Sequence, residues 1–137
     1  MNVETAKITF STSKKDQVVN LTSELKEEVH EFDIEEGICL VFAPHATGVL
    51  ALNENEAGVR NDYLKGIYEM VPERNDYQHD KIDSNAHAHI KSAFFGQERN
   101  IPISKGKLDL GTWQDLFFIE TDGPRSERTL IIKAIGE

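Results

Sequence analysis

The fold of this chain is constrained most by the order in which strand-like and helix-like segments follow one another. Ala6, Ile8 and Phe10 alternate with polar residues, which predicts a first strand over residues 3–12. The final third of the chain instead contains strand-like runs in direct succession, at 101–103, 108–110, 116–119 and 129–135. Because a doubly wound parallel sheet needs strands and helices in strict alternation, this order predicts an α+β fold with a mixed, mainly antiparallel β-sheet.

Three segments between these strands have helical periodicity. Apolar residues recur at helical spacing over 18–29 and again over 59–71, where Pro72 stops the pattern. A third, shorter helix is predicted over 85–95, with Ser84 as its N-cap. The sequence therefore predicts about three helices, of which the first covers Val18 and the residues after it.

A continuous apolar run at 38–43 predicts a central strand that is buried on both faces, and a second short run covers 49–52. The only cysteine, Cys39, lies within the first run and is predicted to be a buried, inert thiol. A single cysteine excludes an internal disulfide and suits a reducing cytoplasm, where we expect the protein to be located. With 137 residues and no linker or repeat, the chain is predicted to form one domain over 1–137.

The charge of the chain narrows the classes of partner. Fifteen Lys and Arg against 24 Asp and Glu give a formal net charge of −9, which repels phosphate backbones and anionic lipid surfaces. No run of apolar residues approaches the roughly 18 that a membrane span needs. The expected partner is therefore a small-molecule substrate or ligand, with no nucleic acid and no membrane.

Three histidines form the most informative set of polar residues. His45 follows the predicted central strand, His79 lies in a polar loop, and His89 lies on the short third helix. Neutral imidazole is a common ligand of zinc, and three such ligands leave a coordination position for water or substrate. His87 lies about 200° around the helix from His89, so only one of the two can face a shared ion. The alternative is that all of them are solvated or core histidines, which are common.

Several polar residues near these histidines are suited to catalysis or binding. Carboxylates such as Glu54 and Asp62 can act as a general base or orient a histidine, whereas Glu56 is typical of a solvated turn. Asn85 lies one helical turn before His89 and can orient its imidazole, although it is also a common helix-start residue.

Two further segments join or end strands near the C-terminus. Trp113 can stack on a heteroaromatic ring, and Arg125 can bind a phosphate group through two hydrogen bonds. The alternatives are a core tryptophan and an Asp-Gly-Pro turn, for which no ligand is needed.

Taken together, these segments resemble the YjbQ family of thiamine-phosphate-synthase-like proteins. The similarity runs in order along the chain and is carried by PHATGVLALNENE at 44–56, YQHD at 77–80, NAHAHIKSAFFG at 85–96, IPISKGKLDLGTWQ at 101–114 and ETDGPR at 120–125. The combination of GTWQ with the asparagine- and histidine-rich segments is far more specific than any one motif.

The resemblance implies an α+β fold, a homotrimer and a site built from histidines with acidic and amide neighbours. It implies metal ligation, most simply of zinc or another divalent ion, by His45, His79 and His89. It further implies catalytic roles for Glu54, Asp62 and Glu120. The implied substrate-binding residues are Asn53, Asn85, Trp113, Gln114 and Arg125.

The implied activity is that of a metal-dependent enzyme acting on a small phosphorylated or heterocyclic metabolite. The named candidate is thiamine-phosphate synthesis, in which a pyrimidine pyrophosphate condenses with a thiazole phosphate and pyrophosphate is released. The alternative is a non-catalytic trimeric protein that binds a metal or a metabolite, because the same side chains serve either purpose.

Overall fold

The computed structural model describes all residues of the chain, 1–137. It contains eight strands, three α-helices and one short 3₁₀ turn. In chain order these are β1 (Asn2–Thr12), β2 (Gln17–Asn20), α1 (Thr22–His30), β3 (Glu36–Phe42), β4 (Val49–Asn53), α2 (Ala57–Met70), the 3₁₀ turn (Gln78–Lys81), α3 (Ala86–Phe95), β5 (Glu98–Ser104), β6 (Lys107–Leu108), β7 (Asp115–Glu120) and β8 (Arg125–Gly136).

The strands form two sheets in which every neighbouring pair is antiparallel. The larger sheet has the order β1-β8-β3-β5-β6, and the smaller has the order β2-β7-β4. The predicted α+β class with three helices is confirmed, and the sheets contain no parallel pair. The main core lies on the inner face of the larger sheet and includes Leu25 of α1, Phe118 of β7 and Leu130 of β8.

The first helix begins later than its periodicity predicts. Val18 lies on β2, opposite Ile119 of β7, and α1 starts only at Thr22. The side chain of Asn20 ends the strand, because its Oδ1 accepts hydrogen bonds from both the backbone and the hydroxyl of Thr22. The β-branched pair Val18-Val19 therefore forms an edge strand, where such residues are favoured.

The prediction that the central strand is buried on both faces is wrong. In β3, Cys39 and Val41 are fully buried, whereas Ile38 and Phe42 on the opposite face are 53% and 38% exposed. The reason is that the helices and the smaller sheet cover only one face of the larger sheet. The buried thiol is confirmed, because Cys39 has no exposed surface and burial raises its pKa to about 11.

The other two helices lie close to their predicted bounds. Helix α2 ends at Met70, since the residue before Pro72 is driven into an extended conformation. Helix α3 has Asn85 rather than the predicted Ser84 at its N-cap, and Oδ1 of Asp80 accepts the hydrogen bond of the Ala86 amide. None of the helices has the length and apolar character needed to cross a bilayer.

Candidate functional site

The structure separates most of the predicted site residues into two groups at opposite ends of β7. One group lies where β7 ends, at Glu120, and the other lies where it begins, at Asp115. Six residues at about 3.4 Å each put roughly 17–20 Å between these ends. Helix α2 has a similar length, since its 14 residues rise about 20 Å.

The first group, which we call the histidine cluster, comprises His79, Asn85, His89, Asp122 and Arg125. Nε2 of His79 lies 3.0 Å from Oδ1 of Asn85, whose amide donates to the Asp122 carboxylate at 2.8 Å. Asp122 in turn accepts a 2.7 Å hydrogen bond from Arg125. The rings of His79 and His89 are 4.9 Å apart. The 3₁₀ turn, the start of α3 and the turn after β7 thus meet in one hydrogen-bonded network.

His89 and His87 lie on different faces of α3, as their two-residue spacing on a helix predicts. His89 contacts the ring of His79, whereas His87 is buried on the inner face of α3, where its Nδ1 lies 2.8 Å from the Lys91 ammonium. Burial, together with the positive charge of Lys91, lowers the pKa of His87 to about 4, so this imidazole is neutral.

Glu120, a predicted catalytic carboxylate, is fully buried and fully paired. The Arg128 guanidinium donates to both of its oxygens, at 2.9 and 2.5 Å, and the Thr12 hydroxyl donates at 2.9 Å. Burial opposes ionisation, but these hydrogen bonds prevail and hold the pKa of Glu120 below its usual value. The carboxylate also accepts the backbone amides of Thr121 and Asp122, so it orients the turn that carries Asp122.

His45 lies apart from the other two predicted ligands. Its Nε2 accepts a 2.9 Å hydrogen bond from the backbone amide of Thr129, which follows Arg128 on β8. Burial and the nearby Arg128 charge lower the pKa of His45, so its imidazole is neutral near pH 7. Arg128 also binds Thr47 in the loop after His45, which joins this loop to the Glu120 pair.

The imidazoles of one chain do not form a metal centre. The structure contains no group of three or more His, Cys, Asp or Glu side chains arranged to hold a metal ion. Nε2 of His45 is engaged by the Thr129 amide, and Nε2 of His79 is engaged by Asn85. The donor set of a single chain therefore does not fit a metal.

The second group surrounds Trp113, whose side chain is 73% exposed. We call it the tryptophan cleft, a depression of about 400 Å³ lined by Glu54, Asn55, Glu56, Thr112, Trp113 and Asp115.

Neighbouring predicted residues have local structural partners. Gln114 accepts the Gly111 amide, and Asn53 accepts the amide of Glu54. Glu56, predicted to lie in a solvated turn, is exposed and caps α2 by accepting the amides of Gly58 and Val59.

Asp62 stands outside both groups. It is exposed on α2 and makes no side-chain hydrogen bond or salt bridge. Neither the histidine cluster nor the tryptophan cleft includes it.

Sequence reasoning missed a buried cluster under α2. The Lys91 ammonium is fully buried, 2.9 Å from the centre of the Tyr68 ring, and the Tyr68 hydroxyl binds Asp16. The sequence pattern that could have revealed it is the four-residue spacing of His87 and Lys91, which puts these two polar side chains on one face of α3. Asp122 was also missed, because Asp-Gly-Pro is sufficiently explained as a turn.

The chain is similar to a set of proteins that share one family description. A family model described as UPF0047 protein YjbQ-like matches residues 6–137. A UPF0047 protein of Archaeoglobus fulgidus is 40% identical over 128 residues, covering 93% of this chain and 98% of that protein. The Bacillus subtilis UPF0047 protein YugU is 34% identical over 128 residues, covering 93% of this chain and 96% of its own.

Solved structures with the same fold have similar lengths. A YbjQ-like protein of unknown function from Sulfolobus solfataricus superposes with a TM-score of 0.97 at 40% identity, covering 99% of both chains. A hypothetical protein from Aeropyrum pernix has a TM-score of 0.93 at 36% identity, covering 98% of this chain and 99% of that one.

Proposed function

The chain belongs to the UPF0047 family of YjbQ-like proteins, and from that premise we propose that it is an enzyme acting on a small phosphorylated or heterocyclic metabolite. The histidine cluster is the proposed catalytic site. The observation that carries the proposal is the hydrogen-bonded chain from His79 through Asn85 and Asp122 to Arg125.

This hydrogen-bonded network combines a nitrogen that can accept a proton, on His79, with a cation, the Arg125 guanidinium. Since Asn85 Oδ1 is an acceptor, Nε2 of His79 carries the hydrogen and Nδ1 keeps the lone pair that can take a proton. Asp122 holds Arg125 through two contacts, one to its carboxylate and one to its backbone carbonyl, while 47% of the arginine side chain stays exposed. The remaining guanidinium hydrogens are available to an anionic group of a substrate.

The candidate reaction is thiamine-phosphate formation. The ring nitrogen of the thiazole phosphate forms a bond to the methylene carbon of the pyrimidine pyrophosphate, and the bond from that carbon to oxygen breaks to release pyrophosphate. Arg125 stabilises the charge that develops on the leaving group, and His79, after taking a proton from water on Nδ1, passes it to the departing pyrophosphate oxygen, because the attacking ring nitrogen carries no hydrogen to be removed. Asn85 and Asp122 position these two side chains.

Pyrophosphate release from this substrate pair tests the proposal. We expect His79→Ala to lower the turnover rate by roughly 100-fold or more, because it removes the proton-exchanging group. His30→Ala is the matched control, since His30 is exposed at the end of α1. Equal turnover in the two variants would contradict the assignment of catalysis to the histidine cluster.

Measuring binding as well as turnover on the same purified protein distinguishes an enzyme from a non-catalytic binding protein. If the wild type binds the thiazole phosphate in a calorimetric titration but releases no pyrophosphate, the non-catalytic alternative is correct. If it neither binds nor turns over this pair, the candidate substrates are wrong.

Zinc is proposed only outside the catalytic steps, with the adjacent imidazoles of His79 and His89 as its ligands from one chain and the remaining ligands supplied from outside that chain. Elemental analysis of purified wild type, His89→Ala and His30→Ala tests it. Selective loss of zinc from His89→Ala supports ligation. Equal zinc content in both variants, or none in the wild type, rejects it.

We also propose that the protein is a cytoplasmic homotrimer. The unpaired buried thiol of Cys39 supports a reducing compartment. The exposed apolar face of the larger sheet supports assembly.

A further inference from the structure

The tryptophan cleft has the features of one half of a site. Its indole is 73% exposed, although large aromatic side chains are mostly buried or in contact with a partner. Glu54 has no cation within 4 Å, because none of the salt bridges in the molecule includes it. Within its own chain the cleft is separated from the histidine cluster by the length of β7, about 17–20 Å.

A second cleft lies beside the histidine cluster and presents two cations, Arg74 and Lys81, although the carboxylates of Asp76 and Asp80 balance its formal charge. It has a volume of about 540 Å³ and is lined by Arg74, Asn75, Asp76, Tyr77, Asp80 and Lys81, the segment that carries His79. We call it the arginine cleft. Neither Arg74 nor Lys81 has a carboxylate within 4 Å. The Asp80 carboxylate is engaged by the Ala86 amide.

The rim of the arginine cleft also carries unpartnered apolar surface. Ile82 follows the 3₁₀ turn directly, its amide bonds to the carbonyl of His79, and its side chain is 86% exposed. An exposed isoleucine at the edge of a polar cleft is an anchor for another apolar side chain. The cleft offers Arg74 and Tyr77 for stacking on an indole ring.

We propose that the catalytic site is completed by a second copy of this chain, whose Trp113 and Glu54 dock at the arginine cleft beside His79. The indole of one copy packs against Ile82 and Tyr77 of its neighbour, and the Glu54 carboxylate pairs with Arg74 or Lys81. The proposal rests on the histidine cluster as the proposed site, but its tests do not measure turnover.

This contact has a consequence for symmetry. The two clefts are different surfaces at opposite ends of the molecule, so the contact between copies is head-to-tail. Head-to-tail contacts build rings when the rotation closes, whereas a two-fold dimer requires one surface that matches itself. A closed ring gives every copy one complete site.

Engineered disulfides test the contact directly. Two cysteines bridge only when their Cα atoms lie within about 7 Å, so Thr112→Cys and Ile82→Cys cannot pair inside one chain. Cys39 does not compete, because it is buried and its pKa is raised to about 11. We expect mixed and co-refolded single variants to give a covalent dimer under mild oxidation.

The double variant Thr112→Cys with Ile82→Cys tests the closed ring as well as the single contact. On a denaturing gel without reductant it should form covalent oligomers up to the ring, and with reductant the same gel should show monomers. Thr112→Cys with Lys26→Cys is the control pair, because Lys26 lies on α1 and lines neither cleft. The proposal is overturned if the control pair crosslinks as readily as the Thr112 and Ile82 pair.

Fluorescence supplies an independent test, since Trp113 is the only tryptophan of the chain. In the assembled wild type its emission should be blue-shifted by contact with the neighbour. Arg74→Glu, in the loop that follows α2, should shift the emission to the red, while Lys26→Glu makes the same charge change without effect. Emission typical of a solvated indole in the wild type, or equal spectra of the two variants, would contradict the proposal.

Discussion

At the scale of single residues, the buried pair of Glu120 and Arg128 organises the end of β7 that carries the histidine cluster. Their side chains are 0% and 5% exposed, and they also bind Thr12 and Thr47. A predicted general base must be able to exchange protons with a substrate, whereas this carboxylate is enclosed and already accepts five hydrogen bonds. Glu120 is therefore a positioning residue that holds the Asp122 turn and the His45 loop together.

Removing one partner of the Glu120–Arg128 pair should lower the free energy of unfolding more than removing both partners. We expect Arg128→Met to lower the free energy of unfolding by about 3–5 kcal/mol at pH 7, because it leaves a buried carboxylate without its cation. The double variant Glu120→Leu with Arg128→Met should recover much of that loss. Urea denaturation measures both, and equal instability of the single and double variants would contradict this account.

The pH dependence of stability should reveal the Glu120 carboxylate. Its pKa is lower in the folded state than in the unfolded chain, so its contribution is complete above the unfolded value of about 4.3. The contribution is lost as the pH falls through the folded value. The stability difference between wild type and Glu120→Gln should therefore shrink from pH 7 to pH 3, as followed by thermal unfolding. A constant difference would show that Glu120 is not ionised in the folded protein.

At the scale of elements, the loop between β3 and β4 depends on a glycine. Gly48 has a φ of +100°, and a Cβ at this position would lie 2.3 Å from Cζ of Phe118. Phe118 is a fully buried core residue, so it cannot move aside easily. The close approach keeps the loop that carries His45 and Thr47 against the core.

Two glycine substitutions should have opposite effects on stability. Gly48→Ala should lower the free energy of unfolding by about 1–3 kcal/mol, because it adds backbone strain and a clash. Gly66→Ala should raise it by about 0.5–1 kcal/mol, since Gly66 lies within α2 with open space around it. Chemical denaturation of both proteins checks the signs, and stabilisation by Gly48→Ala would refute the proposed constraint.

The sequence predicted the positions of strands and helices along the chain better than it predicted which of them lie next to one another. Periodicity located most strands and helices, because the pattern of burial along a strand or helix is local. It failed at Val18, whose strand forms only by pairing with Ile119 a hundred residues later. It also grouped Glu54 and Trp113 with the histidines, because order along the chain does not reveal which end of β7 each loop occupies.

At the scale of the whole molecule, the outer face of the larger sheet is the feature that points to assembly. Ile38, Phe42 and Ile135 lie on neighbouring strands of this face and are 53%, 38% and 46% exposed. Val3, opposite Ile135, extends the surface onto β1 with 61% exposure. A contiguous apolar surface of this kind marks an interaction site.

If the trimer assembles through this face, a charged side chain placed on the face should weaken the trimer. We expect the wild type to have the mass of a trimer in light scattering at micromolar concentration. Ile38→Glu should lower that mass, because it buries an unpaired carboxylate in the interface. Glu31→Gln at the end of α1 serves as a surface control. A monomer mass for the wild type would refute the trimer, and a trimer mass for Ile38→Glu would show that the contact between the two clefts holds the trimer without this face.

The position of β8 also determines when the fold can form during synthesis. Ile135 on this strand pairs with Val3 of β1 on one side and with Ile38 of β3 on the other. A nascent chain must therefore hold the apolar faces of β1 and β3 uncovered until β8 leaves the ribosome. At typical elongation rates this delay is on the order of ten seconds. The larger sheet thus closes only after β8 has been translated, and until then β1 and one edge of β3 are unpaired.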